Sequence, residues 1–176
     1  MAQNSKCLWL TGLPCSGKTT LSDGLRSKLL ENGKNSVVLD GDVLRKSINS
    51  DLDFDSESRN IAMKRVAHIA YLLCSQNIIT LVSVISPLMK HRDYAKKLFE
   101  KKDSFYEIYI STSLEECERR DTKGLYHKAR NREINNFTGI DSKYEKPESP
   151  FMALDTSEYT VSESIDQIYH NVFNEV

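Results

Sequence analysis

The sequence predicts one doubly wound α/β domain over residues 1–176, with about five parallel strands flanked by helices. Short apolar runs alternate with longer amphipathic runs, as strands and helices do when they follow one another. A glycine-rich turn separates the first apolar run from the first amphipathic run. The last amphipathic run has Ile165, Ile168 and Val172 on one face, which is typical of a helix packed on a sheet.

Each predicted strand is a short run of apolar, β-forming residues, and the five runs are 7–11, 36–40, 78–85, 105–110 and 151–154. The helices between them are longer and carry apolar residues at helical spacing, as Leu21, Leu25 and Leu29 do in the first. The predicted helices are 20–30, 56–75, 92–101, 113–120 and 162–173. Strands that alternate with helices favour a parallel sheet, so ligands are expected beyond the carboxyl ends of the strands.

The glycine-rich turn fits the phosphate-loop pattern G-x-x-x-x-G-K-[ST], between a predicted strand and a predicted helix. Backbone N–H groups of such a loop bind phosphates, and its lysine, Lys18, reaches the bridging and terminal oxygens. Thr19 is expected to place its hydroxyl on Mg²⁺. The sequence therefore predicts a P-loop NTPase type of fold that binds ATP and Mg²⁺. The predicted ATP-binding residues are Gly12, Leu13, Pro14, Cys15, Ser16, Gly17, Lys18, Thr19 and Thr20.

Two carboxylates, Asp40 and Asp42, end the second predicted strand, and Arg45 follows three residues later. Carboxylates at a strand terminus can hold the water ligands of Mg²⁺ and accept a proton from an attacking hydroxyl. An arginine one helical turn later can bind an anion. Asp-Gly-Asp is also a common turn, but the neighbouring phosphate loop favours a site.

Composition agrees with a compact enzyme that acts on a small molecule. The formal net charge is -1, which gives no overall attraction to nucleic acid polymers or to an anionic membrane. No apolar run approaches the ~20 residues of a membrane span, and 1–6 lack the apolar stretch of a signal peptide. A cytoplasmic location is therefore expected. The segment 121–150 is long, charged and irregular, and it is interpreted as a lid.

Several motifs together resemble the adenylylsulfate (APS) kinases. They are the phosphate loop, Leu-Asp-Gly-Asp at 39–42, Ile-Ser-Pro at 85–87, the run from Arg120 to Tyr126, and the eleven positions from Phe137 to Pro147. The resemblance covers nearly the whole chain. It implies transfer of the γ-phosphoryl group of ATP to the ribose 3′-hydroxyl of adenosine 5′-phosphosulfate, as part of sulfate assimilation. The products would be PAPS and ADP, and a homodimer is expected.

The resemblance also implies residue roles. Lys18, Asp42 and Ser86 are the catalytic candidates, with Asp42 as the base or orienter of the 3′-hydroxyl. Ser86 is a positioning group, since direct phosphoryl transfer needs no covalent relay. Thr19 and Asp40 would serve the metal, and Arg120 and Arg130 the triphosphate. The implied acceptor-site residues are Asp42, Arg45, Phe54, Arg59, Ala62, Ile85, Ser86, Lys123, Phe137 and Thr138, with Phe54 and Phe137 stacking on the base.

Two departures from the family pattern leave the acceptor open. Ala62 stands where the family has an asparagine, so an amide that reads polar groups is replaced by a methyl group. Val84 stands where the family has phenylalanine. One alternative is therefore a 3′-hydroxyl kinase for a related nucleotide, such as cytidine 5′-diphosphoramidate in capsular polysaccharide modification. The other is a non-catalytic nucleotide-sensing subunit, which the retained Lys18, Thr19, Asp40 and Asp42 disfavour.

Overall fold

The computed structural model describes residues 5–100 and 104–173. It contains one five-stranded parallel sheet in the order β2-β3-β1-β4-β5. The strands are β1 Cys7–Gly12, β2 Ser36–Asp40, β3 Ile79–Ser83, β4 Phe105–Ile110 and β5 Met152–Leu154. The helices are α1 Lys18–Glu31, α2 Gly41–Arg45, α3 Ser56–Ser75, α4 Met89–Phe99, α5 Leu114–Arg120, α6 Leu125–Arg130 and α7 Val161–Phe173. The predicted fold class is confirmed.

The central strand β1 divides the core into two layers. Its residues alternate across the sheet, so Leu8 and Leu10 pack with α1 and α7, while Cys7 and Trp9 pack with α3 and α4. All six residues of β1 are buried, as expected for the middle strand of a sheet covered on both faces.

The parallel register brings the carboxyl ends of the strands to one edge. Gly12 at the end of β1 lies opposite Ile110 at the end of β4, and Asp40 at the end of β2 lies opposite Ser83 at the end of β3. The loops that follow these residues therefore start side by side. This edge is where the sequence predicts ligand binding.

Two short helices were not predicted from the sequence. The segment 41–45, for which no helix was predicted, is α2, and the segment 121–150, interpreted as an irregular lid, contains α6. A helix of five or six residues covers fewer than two turns, so it has no 3.6-residue pattern to detect. Local capping stabilises both: Asp40 accepts the first N–H groups of α2, and Asp121 accepts those of Tyr126 and His127 in α6.

Several predicted boundaries were wrong by one to three residues. Helix α4 begins at Met89 rather than at 92, because the carboxylate of Glu145, distant in sequence, accepts the Met89 N–H at 2.8 Å. The predicted end of that helix at Lys101 lies outside the described residues. Strand β3 stops at Ser83, because the chain turns sharply at Ser86. Phe151 lies outside β5 and packs edge to face on Tyr106.

Within the described ranges, no helix combines the length and the apolar character that crossing a membrane requires.

Candidate active site at the carboxyl edge of the sheet

The predicted phosphate loop connects β1 to α1 at this edge. A Cβ on Gly12 would lie 2.5 Å from the carbonyl oxygen of Ile110, so the close approach of the two strands requires glycine. Gly17 is the N-cap of α1 with φ 101°, a conformation that strains residues with a side chain. The first N–H groups of α1 have no carbonyl partner inside the helix and are available to phosphate oxygens.

Lys18 is nearly buried inside the loop. Its ammonium group donates to the carbonyl oxygens of Gly12 (3.0 Å) and Leu13 (2.6 Å) and to Ser16 Oγ (3.2 Å). Burial lowers the pKa of Lys18 from 10.5 to about 8, and the nearby Cys117 and Cys15 thiols and the two site carboxylates oppose this effect only partly. These three partners are neutral, so an anionic phosphate oxygen would bind the ammonium group more strongly than they do.

Thr19 and Asp40 meet beside the loop. The Thr19 hydroxyl donates to Oδ2 of Asp40 at 2.8 Å. The other carboxylate oxygen, Oδ1, caps α2 by accepting the N–H groups of Asp42 (2.9 Å) and Val43 (3.3 Å). A hydroxyl and a carboxylate oxygen therefore converge next to the phosphate loop. Hard oxygen ligands of this kind fit Mg²⁺, which keeps several waters and is completed by substrate phosphates.

Asp42 lies in α2 and forms an ion pair with Lys123, which lies between α5 and α6. The hydrogen bond to Asp42 raises the pKa of Lys123. The two side chains are 66% and 58% exposed, respectively, so an incoming ligand can reach both. The structure thus brings together two predicted acceptor-site residues that are 81 positions apart in the chain.

Arg45 and Phe54 form a second part of the site. The Arg45 guanidinium lies 4.3 Å from the centroid of the Phe54 ring, in a cation–π contact. Arg45 Nη1 also donates to the carbonyl oxygens of Leu52 (3.0 Å) and Asp53 (2.8 Å). Phe54 remains 57% exposed, which leaves the ring accessible as a stacking platform.

Arg59 links this platform to the segment around Thr138. It donates to the Phe54 carbonyl oxygen (2.8 Å), to Thr138 Oγ1 (2.8 Å) and to the carbonyl oxygen of Asn136. A cavity of about 110 Å³ adjoins these groups. Its lining consists of Phe54, Ser56, Arg59, Pro87, Leu88, Asn136 and Ser142. Burial lowers the pKa of Arg59 from its ordinary value, but the group stays cationic.

Side chains of β1 stabilise the turn at Ile85 and Ser86 by hydrogen bonds. Thr11 Oγ1 donates to the Ile85 carbonyl oxygen at 2.7 Å. Ser86 Oγ accepts from Trp9 Nε1 and donates to Thr11 Oγ1, both at 3.0 Å. Ser86 is 1% exposed, so its side chain stabilises the turn from inside the protein.

Phe137 packs against Tyr126, which in turn contacts the phosphate loop. The two rings meet edge to face, with centroids 4.9 Å apart. The Tyr126 hydroxyl donates to the Pro14 carbonyl oxygen at 3.0 Å. Ala62, the remaining predicted acceptor residue, lies one turn after Arg59 on α3 and is buried.

Arg120 and Arg130 lie in different surroundings. Arg120 donates to Thr156 Oγ1 (2.7 Å) and forms an ion pair with Glu116. With Gly17 and Thr20 it lines a cavity of about 140 Å³ beside the phosphate loop. Arg130 instead forms an ion pair with Glu118 on the surface and does not line this cavity. The geometry therefore favours Arg120 as the nucleotide-side arginine.

Sequence reasoning missed residues that complete the site from a distance. Thr156 accepts from Arg120 and donates to the Ser16 carbonyl oxygen, although no motif surrounds it. Its position directly after the last strand was the available signal, because loops at that edge of the sheet form the site. Trp9 and Tyr126 were read only as apolar or motif residues, yet both donate hydrogen bonds to the site loops.

Comparisons with known proteins agree with this geometry. The family model described as adenylylsulphate kinase matches residues 4–155. The adenylyl-sulfate kinase of Clostridium acetobutylicum is 47% identical over 168 residues, which are 96% of this chain and 83% of that protein. The adenylyl-sulfate kinase of Bacteroides thetaiotaomicron is 42% identical over 176 residues, which are 100% of this chain and 87% of that protein.

A solved structure is also similar. The APS kinase of Mycobacterium tuberculosis, in complex with AMPPNP and APS, superposes with a TM-score of 0.93 at 40% identity. The match covers 97% of this chain and 99% of that chain. The fold, the phosphate loop and these matches lead to one conclusion: the chain belongs to the adenylylsulphate kinase family.

Proposed function

We propose that this protein is an ATP-dependent kinase that phosphorylates the ribose 3′-hydroxyl of adenosine 5′-phosphosulfate, giving PAPS and ADP. One observation carries the proposal. The ATP loop and the predicted acceptor residues open onto the same edge of the sheet, where Asp42 and Lys123 meet. The similarity to adenylyl-sulfate kinases over nearly the whole chain supports the same substrate.

On the ATP side, Lys18 and the backbone N–H groups of the loop bind the β- and γ-phosphates. When phosphate enters, the Lys18 ammonium exchanges neutral carbonyl partners for anionic oxygens. This contact strengthens as negative charge develops on the bridging oxygen that leaves with ADP, which is how a positioned cation accelerates phosphoryl transfer. Arg120 and the cavity beside Gly17 and Thr20 are the proposed place for the rest of the nucleotide.

Thr19 and Asp40 are the residues that would hold Mg²⁺. The metal would supply positive charge to the phosphate oxygens of ATP.

On the acceptor side, Asp42 accepts the proton of the 3′-hydroxyl as the oxygen attacks the γ-phosphorus. Lys123 pairs with this carboxylate and orients it before the acceptor arrives. Phe54 and Phe137 stack on the base, and Arg45 and Arg59 hold the anionic 5′ group. Because stacking accepts any base, the polar contacts around the 5′ group decide which nucleotide is used.

We also propose that 121–150 acts as a lid of this single domain and that the protein works as a homodimer. Contacts of this segment with both parts of the site support closure: Tyr126 contacts the phosphate loop, and Lys123 contacts Asp42. Light scattering on a size-exclusion column tests the dimer, and a monomer at assay concentration would contradict it.

An ADP-release assay with purified protein, Mg²⁺-ATP and APS tests the proposed function. ADP release that depends on APS is expected. ADP release that stays at the level seen without acceptor would contradict the proposal.

Ala62 favours a second candidate, a 3′-hydroxyl kinase for a related nucleotide such as cytidine 5′-diphosphoramidate. The methyl group is buried one turn from Arg59, at the position where the resemblance implies an asparagine. The same assay with this acceptor separates the two candidates by kcat/KM. If the second candidate is correct, Ala62→Asn should raise kcat/KM for APS, and either no change or a decrease would count against this explanation.

A further inference from the structure

Arg92 on α4 is a buried cation that contacts two loops of the site. The residue is 2% exposed. Its Nη1 donates to the Ser86 carbonyl oxygen (2.8 Å), and its Nη2 donates to the Glu145 carbonyl oxygen (2.7 Å). Its Nε lies 2.8 Å from Oε1 of Glu107 on β4, forming a buried ion pair. A charge this deeply buried persists only when it is paired and hydrogen-bonded.

The first loop that Arg92 contacts has an unfavourable backbone conformation. Ser86 is not glycine, yet its φ is 36°, in the left-handed region. Such a conformation is strained for a residue with a side chain, and it persists only where surrounding contacts impose it. Trp9 and Thr11 hold the Ser86 side chain, and Arg92 holds its carbonyl oxygen. Arg92 is therefore one of three residues that impose this conformation.

The second loop is the C-terminal part of 121–150. The Glu145 N–H donates to the Pro87 carbonyl oxygen (2.7 Å), directly after the Ser86 turn. The Tyr144 hydroxyl lies 2.9 Å from Thr11 Oγ1, and the Tyr144 ring lies 5.9 Å from the Arg92 guanidinium. Both loops are thus joined at Arg92, although their residues are about 60 positions apart in the sequence.

We infer that Arg92 is a positioning residue for the acceptor nucleotide, because one guanidinium fixes the Ser86 turn and the 144–145 segment together. This inference rests on the proposed function, which assigns Ile85 and Ser86 to the acceptor. Arg92 acts through these loops, since its side chain is buried. Three different nitrogens of the planar guanidinium reach the two carbonyl oxygens and the carboxylate. A lysine ammonium is a single nitrogen that would have to lie close to all three oxygens at once, so lysine is not equivalent.

Arg92→Lys tests the inference because it keeps the positive charge opposite Glu107 but loses the planar set of donors that contacts both loops. The KM for the acceptor should rise ~10-fold or more, while the KM for ATP should change by less than ~2-fold. A second readout comes from Trp9, the single tryptophan of the chain, whose indole N–H donates to Ser86 Oγ. Its fluorescence emission should shift when the turn loosens.

Two further variants separate positioning from loss of stability. Arg92→Met combined with Glu107→Gln removes both charges, so no unpaired charge stays buried, and it should show the same acceptor defect. Ile168→Ala is the control, since Ile168 is fully buried in the opposite layer, against α1. It should lower Tm without changing the acceptor KM or the Trp9 emission.

An acceptor KM within ~2-fold of wild type in both Arg92 variants would overturn the inference, as would equal increases in both KM values. Failure of the proposed function is recognised separately, as wild-type protein that makes no product from APS. In that case the Trp9 emission alone tests the inference, and an emission spectrum that is unchanged in Arg92→Lys would overturn it.

Discussion

At the residue scale, Lys18 is the side chain on which the ATP site most depends. Replacing it with alanine removes the one cation inside the phosphate loop, so kcat should fall ~10²–10³-fold or more. Lys28→Ala on the same helix is the matched control, because Lys28 pairs with Asp166 away from the loop. Steady-state assays and circular dichroism measure activity and folding. Near-normal turnover in folded Lys18→Ala protein would refute the role.

The lowered pKa of Lys18 predicts a pH dependence. Free enzyme loses the Lys18 proton as pH rises through about 8, so kcat/KM for ATP should decrease above that pH. Lys18→Arg remains charged there and should lose this decrease, even if its maximum kcat/KM is lower. A wild-type kcat/KM for ATP that stays constant from pH 7 to 9.5 would contradict the expected loss of activity.

The same pKa shift affects stability. The unfolded chain keeps a lysine pKa near 10.5, so between pH 8 and 10.5 it binds more protons than the folded protein does. The Lys18 contribution to the free energy of unfolding therefore increases with pH across this window.

Asp42 is expected to act in the chemical step rather than in binding alone. Asp42→Asn keeps the shape and removes the base, so kcat should fall ~10²–10⁴-fold. Asp53→Asn is the matched control, because this nearby carboxylate is exposed and has no assigned role. Initial rates at saturating ATP separate kcat from KM. A change confined to the acceptor KM would make Asp42 a binding group.

At the element scale, the packing of α1 on α7 depends on Gly24. A Cβ at Gly24 would collide with Ile165 Cδ1 and lie 3.1 Å from Cγ1. Gly24→Ala should therefore destabilise the protein by ~1–2 kcal/mol despite the higher helix propensity of alanine. In an Ile165→Val background, which lacks Cδ1, the cost should shrink by ~0.5–1 kcal/mol. Denaturant unfolding of the four proteins measures this coupling, and strictly additive effects would mean that the two residues do not meet.

The sequence predicts best the elements whose ends coincide with a change in the local pattern. Strands 36–40 and 105–110 and helix 56–75 have the predicted bounds, because the apolar run or the helical spacing extends over the whole element and no further. Helix α6 escaped prediction because its N–H groups are satisfied by Asp121, through local hydrogen bonds without periodicity. The start of α4 depends on Glu145, 56 positions away, and no local pattern carries that information.

The candidate site also has a part that depends on a local motif and a part that depends on contacts between distant residues. The phosphate loop is recognisable because its glycines and lysine are local requirements of one turn. The contacts between Lys123 and Asp42, and between Arg92 and both Ser86 and Glu145, arise only when the sheet register is known. Fold class and ATP loop could thus be predicted from residue pattern. The assembled acceptor side required the resemblance or the structure.

At the scale of the whole molecule, all five strands bring residues of the candidate site to one edge. The phosphate loop follows β1, Asp40 ends β2, the Ser86 turn follows β3, Thr112 follows β4 and Thr156 follows β5. The hydroxyl oxygens of Thr112 and Thr156 lie 2.8 Å apart, and both hydroxyls lie within hydrogen-bond distance of the Ser16 carbonyl oxygen. A parallel sheet makes this convergence automatic, since every strand ends on the same side. The loops therefore form one site although they are separated along the chain.

The most direct test of the central claim is to identify the product by phosphorus NMR after incubating the protein with Mg²⁺-ATP and APS. The account predicts ADP and a new phosphomonoester on the ribose 3′-oxygen in equal amounts, and neither product with Lys18→Ala. Intact APS beside unchanged ATP, or phosphate released to water without a 3′-phosphate, would contradict it.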